Sequence, residues 1–110
     1  MVQQRAARVG FDWLELGGVL EKVQEEIREV QGAEDEVRRA EEVGDLLFAV
    51  VNLARWVKVE PESALREANQ RFRRRFERME AEARARGISL GTLGLEELDQ
   101  MWEEAKRHLG

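Results

Sequence analysis

Glu42-Val43-Gly44-Asp45-Leu46-Leu47-Phe48-Ala49-Val50-Val51-Asn52-Leu53-Ala54 is an apolar run with two acids three residues apart at its head. It is too long for one strand, and it does not alternate with period two. Projected at about 100° per residue, it becomes a helix that is apolar around most of its circumference. Val43, Leu46, Leu47, Val50, Leu53, Ala54 and Val57 cover one broad face. The exception is a narrow stripe of Arg38, Glu42, Asp45, Ala49 and Asn52. Acids in such surroundings need a partner, because apolar neighbours cannot solvate them. Gly44 and Asp45 are also poor helix residues, the glycine costing about 1 kcal/mol relative to alanine. A helix that accepts them here gains something locally, such as the close approach of a backbone or a ligand.

Working outward, the periodicity predicts helices almost everywhere. Residues 1–15 read as an irregular arm containing Gly10-Phe11-Asp12-Trp13. A first predicted helix runs from Leu16 or Val19 to Gln31, with Gly32 as its stop. Its apolar stripe is Leu16, Val19, Leu20, Val23, Ile27 and Val30, edged by Lys22, Glu26 and Glu29, with Glu25 pointing further out. The helix of the opening stretch starts at Ala33 or Glu34 and reaches Lys58. Pro61 suits the first turn of a third helix, which continues to Arg86 and is capped by Gly87. Leu65, Ala68, Phe72, Phe76, Met79 and Ala83 form its expected core face, edged by Arg71 and Arg75. The loop 88–94 leads into a last helix, Leu95 to Leu109. No strand, repeat or linker is expected, so the fold class is all-α and residues 1–110 are read as a single domain.

Composition sets the limits. A chain of 110 residues makes a small core, so part of its apolar surface calls for a second subunit. The absence of cysteine excludes disulfides, thiolate ligands and a cysteine nucleophile. No run of about 18 apolar residues and no signal-peptide core is present, so no membrane partner is expected and the location is read as cytoplasmic. The net charge of −5 argues against nucleic-acid binding but permits a nucleotide escorted by a metal.

The chemistry follows from the helix edges. If the first two helices pack antiparallel across the Gly32 turn, Glu26 and Glu29 face Glu42 and Asp45. Four converging carboxylates without counter-charge raise one another's pKa values. Hard oxygen ligands without histidine or cysteine suit Mg²⁺, or Mn²⁺ as a substitute, far better than zinc. Magnesium favours a few carboxylates together with phosphate oxygens, so a phosphate-bearing substrate is implied. Arg71, Arg75 and Arg38 are placed to meet the remaining phosphate oxygens. The bland alternative is a set of solvated faces: with 23 acids in 110 residues, chance alone supplies about five acid pairs at three-residue spacing. The stretch Arg73-Arg74-Arg75 likewise reads by default as a solvated basic face.

Glu25-Glu26-x-x-Glu29 followed by Glu42-x-x-Asp45 resembles the signature of the MazG nucleotide pyrophosphohydrolases. Further stretches match the same pattern: Gly10-Phe11-Asp12-Trp13, Lys22-Val23-Gln24-Glu25-Glu26-Ile27 and Glu42-Val43-Gly44-Asp45-Leu46-Leu47-Phe48. So do Val51-Asn52-Leu53-Ala54-Arg55, Ala68-Asn69-x-x-Phe72-x-x-Arg75-Phe76 and Trp102-x-x-x-Lys106. The likeness is to the C-terminal catalytic domain of bacterial members with two tandem copies. Only one copy is present here, beginning almost at Met1, as in a naturally short member or a shortened form. The resemblance implies an all-α bundle whose four-helix core is completed by dimerisation, as a homodimer or a higher homo-oligomer. It implies Mg²⁺-dependent hydrolysis of nucleoside triphosphates to monophosphate and pyrophosphate, with activated water attacking the α-phosphorus. By motif position Glu26, Glu29, Glu42 and Asp45 are the expected catalytic metal ligands, and Arg75 the phosphate-binding arginine. Arg71 stands where lysine is expected. Lys22 and Arg38 are further phosphate candidates. Trp102, with Lys106 nearby, reads equally as a base-stacking residue or as the core anchor of the last helix.

Other readings compete. A narrower relative would act on dCTP, dUTP or phosphoribosyl-ATP. A non-enzymatic dimeric helical module would leave its acids solvated. A di-iron bundle pairs Glu-x-x-His motifs, and the single histidine, His108, lies near the C-terminus far from these acids, which excludes it.

Overall fold

A computed structural model describes residues 2–109. Among them the chain forms five α-helices and no strand: α1 Val2–Arg8, α2 Leu16–Gly32, α3 Glu36–Trp56, α4 Pro61–Arg86 and α5 Leu95–Leu109. A 3₁₀ turn, Leu90–Thr92, lies between the last two. The all-α expectation holds, and none of these helices is long and apolar enough to cross a membrane.

The first fifteen residues differ from expectation. Val2–Arg8 is helical rather than part of an irregular arm. Seven residues are too few for a periodic pattern to register, and long-range contacts support the helix: the Gln3 side chain donates Nε2–H to the Phe48 carbonyl of α3 at 3.0 Å. The end of α1 is nonetheless written in the sequence. Gly10 sits at φ +88, Gly10 N–H bonds the Ala7 carbonyl and Phe11 N–H the Ala6 carbonyl, the paired bonds of a Schellman cap. Gly87, at φ +70, ends α4 with the same pair of bonds, to Arg84 and Ala83. At the end of α3 the left-handed position falls on Lys58, φ 61, without the freedom of glycine. The start of α3 is set by Asp35, whose carboxylate accepts from Arg38 N–H at 2.8 Å. That moves the boundary from the expected Ala33 or Glu34 to Glu36.

The described residues form two compact units, dividing between Pro61 and Glu62. In the first, α2 and α3 pack against each other across the three-residue connection 33–35. Val19 is fully buried there, and the other buried positions of this pair are Glu26, Ala49 and Asn52. The narrow polar stripe of α3 is therefore the one turned inward. Its broad apolar face is largely open, with Leu47 61% and Val57 49% exposed. Of the stripe expected on α2, Leu16, Leu20 and Ile27 are likewise exposed.

The second unit behaves conventionally. Met79 and Ala83 of α4 and Met101 and Ala105 of α5 form its buried cluster, flanked by Leu90, Leu93, Leu98 and Trp102. The expected α4 core face is buried only at this C-terminal end; Leu65, Phe72 and Phe76 stay exposed.

Candidate functional site

Turning the polar stripe inward gathers acids. Carboxylate oxygens of Glu26, Glu42 and Asp45 lie within 4.8 Å of one another, a group of three able to hold a metal ion. Glu26 is 6% exposed, Glu42 is half-buried and Asp45 stands at the open side. Position i to i+3 on α3 puts Glu42 and Asp45 on one face, while Glu26 reaches them from α2. Glu29 is outside this trio, though its charge acts on Glu42. Glu25 is exposed and turned away, as expected, 3.7 Å from Lys22.

The electrostatics are those of a site short of positive charge. Burial, reinforced by the charges of Glu29, Asp45 and Glu26, raises the Glu42 carboxyl above its ordinary range; Arg38, 3.8 Å away, opposes this weakly. Lys22 donates to Glu26 Oε1 at 2.8 Å, and this bond raises the ammonium against the opposing effect of desolvation. The other Glu26 oxygen, Oε2, is buried and has no protein partner. An unsatisfied carboxylate oxygen in this position is costly unless a cation or donor meets it. The donor set is all carboxylate oxygen, matching the chemistry of Mg²⁺ or Mn²⁺. A hollow of about 280 Å³ borders the acids, lined by Trp13, Lys22, Glu26, Asp45, Phe48, Ala49 and Asn52.

Sequence reading left the Gly10–Trp13 motif without a role. Asp12 accepts a two-pronged bond from Arg55 of α3, Trp56 Nε1–H at 3.2 Å and Trp13 N–H at 2.8 Å. The Arg55 guanidinium holds the Asp12 carboxyl below the usual aspartate range, although partial burial works the other way. Arg55 also donates to Asn52 Oδ1 at 2.8 Å. The Gln3 bond and the side-chain partners of Asp12 span more than 40 residues, beyond any local pattern.

The remaining candidates belong to the second unit. Arg75 lies over the Trp102 ring, 5.6 Å from its centroid, a cation–π contact. Phe72 meets the same ring at 5.1 Å. Trp102 thus packs against the α4–α5 core, and Lys106 is 3.9 Å from Glu103. Arg71 is exposed.

This all-α chain with three converging carboxylates has named relatives. It is 48% identical over 105 residues to the nucleoside triphosphate pyrophosphohydrolase/pyrophosphatase MazG of Thermotoga maritima, covering 96% of this chain and 41% of that protein. It is 46% identical over an aligned 111 residues to the nucleoside triphosphate pyrophosphohydrolase of Escherichia coli K12, covering 96% and 42%. A shorter stretch of 65 residues is 51% identical to the uncharacterized protein YabN of Bacillus subtilis, covering 59% of this chain and 13% of YabN. No family model matches the chain. The chain is a homologue of the MazG proteins, as its motifs suggest, and spans a little under half the length of the curated relatives it matches.

Proposed function

We propose that this chain hydrolyses nucleoside triphosphates to nucleoside monophosphate and pyrophosphate with Mg²⁺ as its cofactor. The names of the two relatives that align with nearly all of this chain support the reaction class. The observation that carries the reading for this chain is the convergence of carboxylate oxygens of Glu26, Glu42 and Asp45, beside which Glu26 also keeps a buried oxygen without a protein partner.

Glu26, Glu42 and Asp45 would hold the cation, with Glu29 as the fourth ligand one turn along α2. The cation would supply positive charge against phosphate oxygens and acidify water. Lys22 orients Glu26 and offers its ammonium to phosphate. Arg38 stands at the edge of the acids, and Arg71 and Arg75 are proposed as phosphate ligands from their motif positions alone. Water adds to the α-phosphorus, the bond to the bridging oxygen breaks, and pyrophosphate leaves as a unit. The cytoplasm, where triphosphates and Mg²⁺ are abundant, is the proposed setting.

The open apolar face of α3 supports a further element: a homodimer or larger homo-oligomer in which that face completes a four-helix core. Exposed Leu20 and Ile27 on α2 extend the surface a partner would cover.

Incubation with each NTP and dNTP, with and without Mg²⁺, followed by product analysis, tests the reading. Monophosphate plus pyrophosphate, formed only with metal, is the expected result. Diphosphate plus orthophosphate would refute it, and turnover of dCTP, dUTP or phosphoribosyl-ATP alone would move the chain to a narrower branch.

A further inference from the structure

We infer that Arg55 is a positioning residue for the site of the acids: its guanidinium fixes the Asn52 amide so that the N–H end serves the bound substrate, an assignment that rests on the nucleotide reading above. Asn52 follows Asp45 by seven residues on α3, two turns along the same face. Both line the hollow of about 280 Å³, with Ala49 between them. Alanine adds only a Cβ there, so space stays open between the carboxylates and the amide. Asn52 is 7% exposed, so its polar atoms need partners.

The orientation of that amide follows from its partner. Arg55 stands three residues after Asn52, the spacing at which side chains on a helix meet. It donates Nη2–H to Asn52 Oδ1 at 2.8 Å and Nε–H to the same oxygen at 3.2 Å. A guanidinium only donates, so the amide oxygen must face it and the NH₂ group must turn the other way. Among the described residues that NH₂ group has no acceptor. Arg55 is held in turn, because Nη1 and Nη2 also donate to the Asp12 carboxylate, which accepts from the Trp56 indole as well. One planar fork thus serves both Asn52 and Asp12. The ammonium of a lysine, a point charge on a flexible stem, cannot reproduce it.

Placement says what the amide meets. At 1.5 Å per residue, Asn52 stands about 10 Å along α3 from Asp45, past the oxygens that a cation on the acids would bind. Its ligand is an acceptor oxygen elsewhere on the nucleotide, on phosphate or on sugar. Lys22 is the other donor in the hollow, and its ammonium is already engaged by Glu26. Asn52 therefore supplies an uncharged donor, and Arg55, whose own charge is paired with Asp12, keeps that donor aimed before the substrate arrives.

Two measurements test the assignment. Nuclear magnetic resonance follows the Asn52 side-chain NH₂ in wild type and in Arg55→Lys, during titration with Mg²⁺ and a non-hydrolysable triphosphate and separately with Mg²⁺ and pyrophosphate. The wild-type signal should move in both titrations if the acceptor is a phosphate oxygen, and with the triphosphate alone if it is a sugar oxygen. Arg55→Lys should lose most of that movement. A wild-type signal that stays still, or one that moves equally in Arg55→Lys, overturns the assignment. In parallel, kcat/KM for the preferred triphosphate is measured in Asn52→Ala, Arg55→Lys and the double variant. Each single change should lower it about ten-fold, the worth of one hydrogen bond, and the double variant should be no worse than either. Arg55→Lys keeps a cation against Asp12, so the fold should persist. Wild-type kcat/KM in Arg55→Lys, or losses that multiply in the double variant, would overturn the assignment. Should the wild-type chain hydrolyse no triphosphate, the reaction reading fails, and the amide titration alone decides the role of Arg55.

Discussion

The α2–α3 seam and the α4–α5 seam bury similar numbers of side chains and bury opposite chemistry. Between α4 and α5 the hidden residues are Met79, Ala83, Met101 and Ala105. Between α2 and α3 they are Val19 and Ala49 together with Glu26 and Asn52, while Leu47, Val50 and Val57 face outward. The second seam follows the rule that apolar burial drives helix packing. The first breaks that rule, keeping charge inside and grease outside. On the proposed reading a cation or substrate would meet the acids, and a second copy of the chain would meet the apolar side.

The largest expected effect breaks the polar seam chemically and leaves it structurally whole. Glu42→Gln or Asp45→Asn should lower triphosphate turnover at least about 100-fold with the helical circular dichroism unchanged. Wild-type turnover in either variant would remove that residue from the site. The matching change in the apolar seam acts on stability: Met101→Ala should cost about 2–4 kcal/mol, read from denaturant midpoints. A cost near zero would mean that α5 is not packed as described.

Smaller changes sharpen the contrast. A Cβ built at Gly44 meets nothing within 4 Å. In an isolated helix Gly44→Ala would add about 1 kcal/mol of stability; if a second copy approaches there, the variant should instead shift sedimentation toward monomer. A stabilised variant with unchanged association would show that no partner backbone comes close. Lys58→Gly should raise the melting temperature slightly, since the left-handed position costs a lysine about 1 kcal/mol. The smallest effect concerns pH. The folded carboxyl of Asp12 lies below its unfolded value, so its contribution is present above the ordinary aspartate pKa and is lost as pH falls through the folded one. Asp12→Asn should flatten stability across that acidic window and match wild type once the wild-type carboxyl is protonated. Parallel curves would deny the Asp12–Arg55 link a role.

Much of this contrast was legible in the sequence. The stripe of Arg38, Glu42, Asp45, Ala49 and Asn52 stood out by period alone, and glycine and proline marked most helix ends. The buried state of Glu26 was less so, because an acid at the edge of a stripe reads the same whether it faces water or a neighbour. The helix Val2–Arg8 and the contacts of Gln3, Asp12 and Arg55 were hidden for another reason. They depend on pairings across more than 40 residues, which leave no local periodicity. Trp102 kept two readings in the sequence, and its packing with Phe72 and Arg75 gives weight to its role as a core anchor.

If the acids of the α2–α3 seam form a divalent-cation site serving a nucleotide, they should bind Mn²⁺ in solution. Mn²⁺ titration followed by electron paramagnetic resonance tests it most directly, with and without a non-hydrolysable triphosphate, on wild type and on Glu26→Gln and Glu42→Gln. Saturable Mn²⁺ binding is expected, strengthened by the triphosphate and weakened about ten-fold or more by each substitution. Binding that is absent from the wild type, or equally tight in both variants, would contradict it.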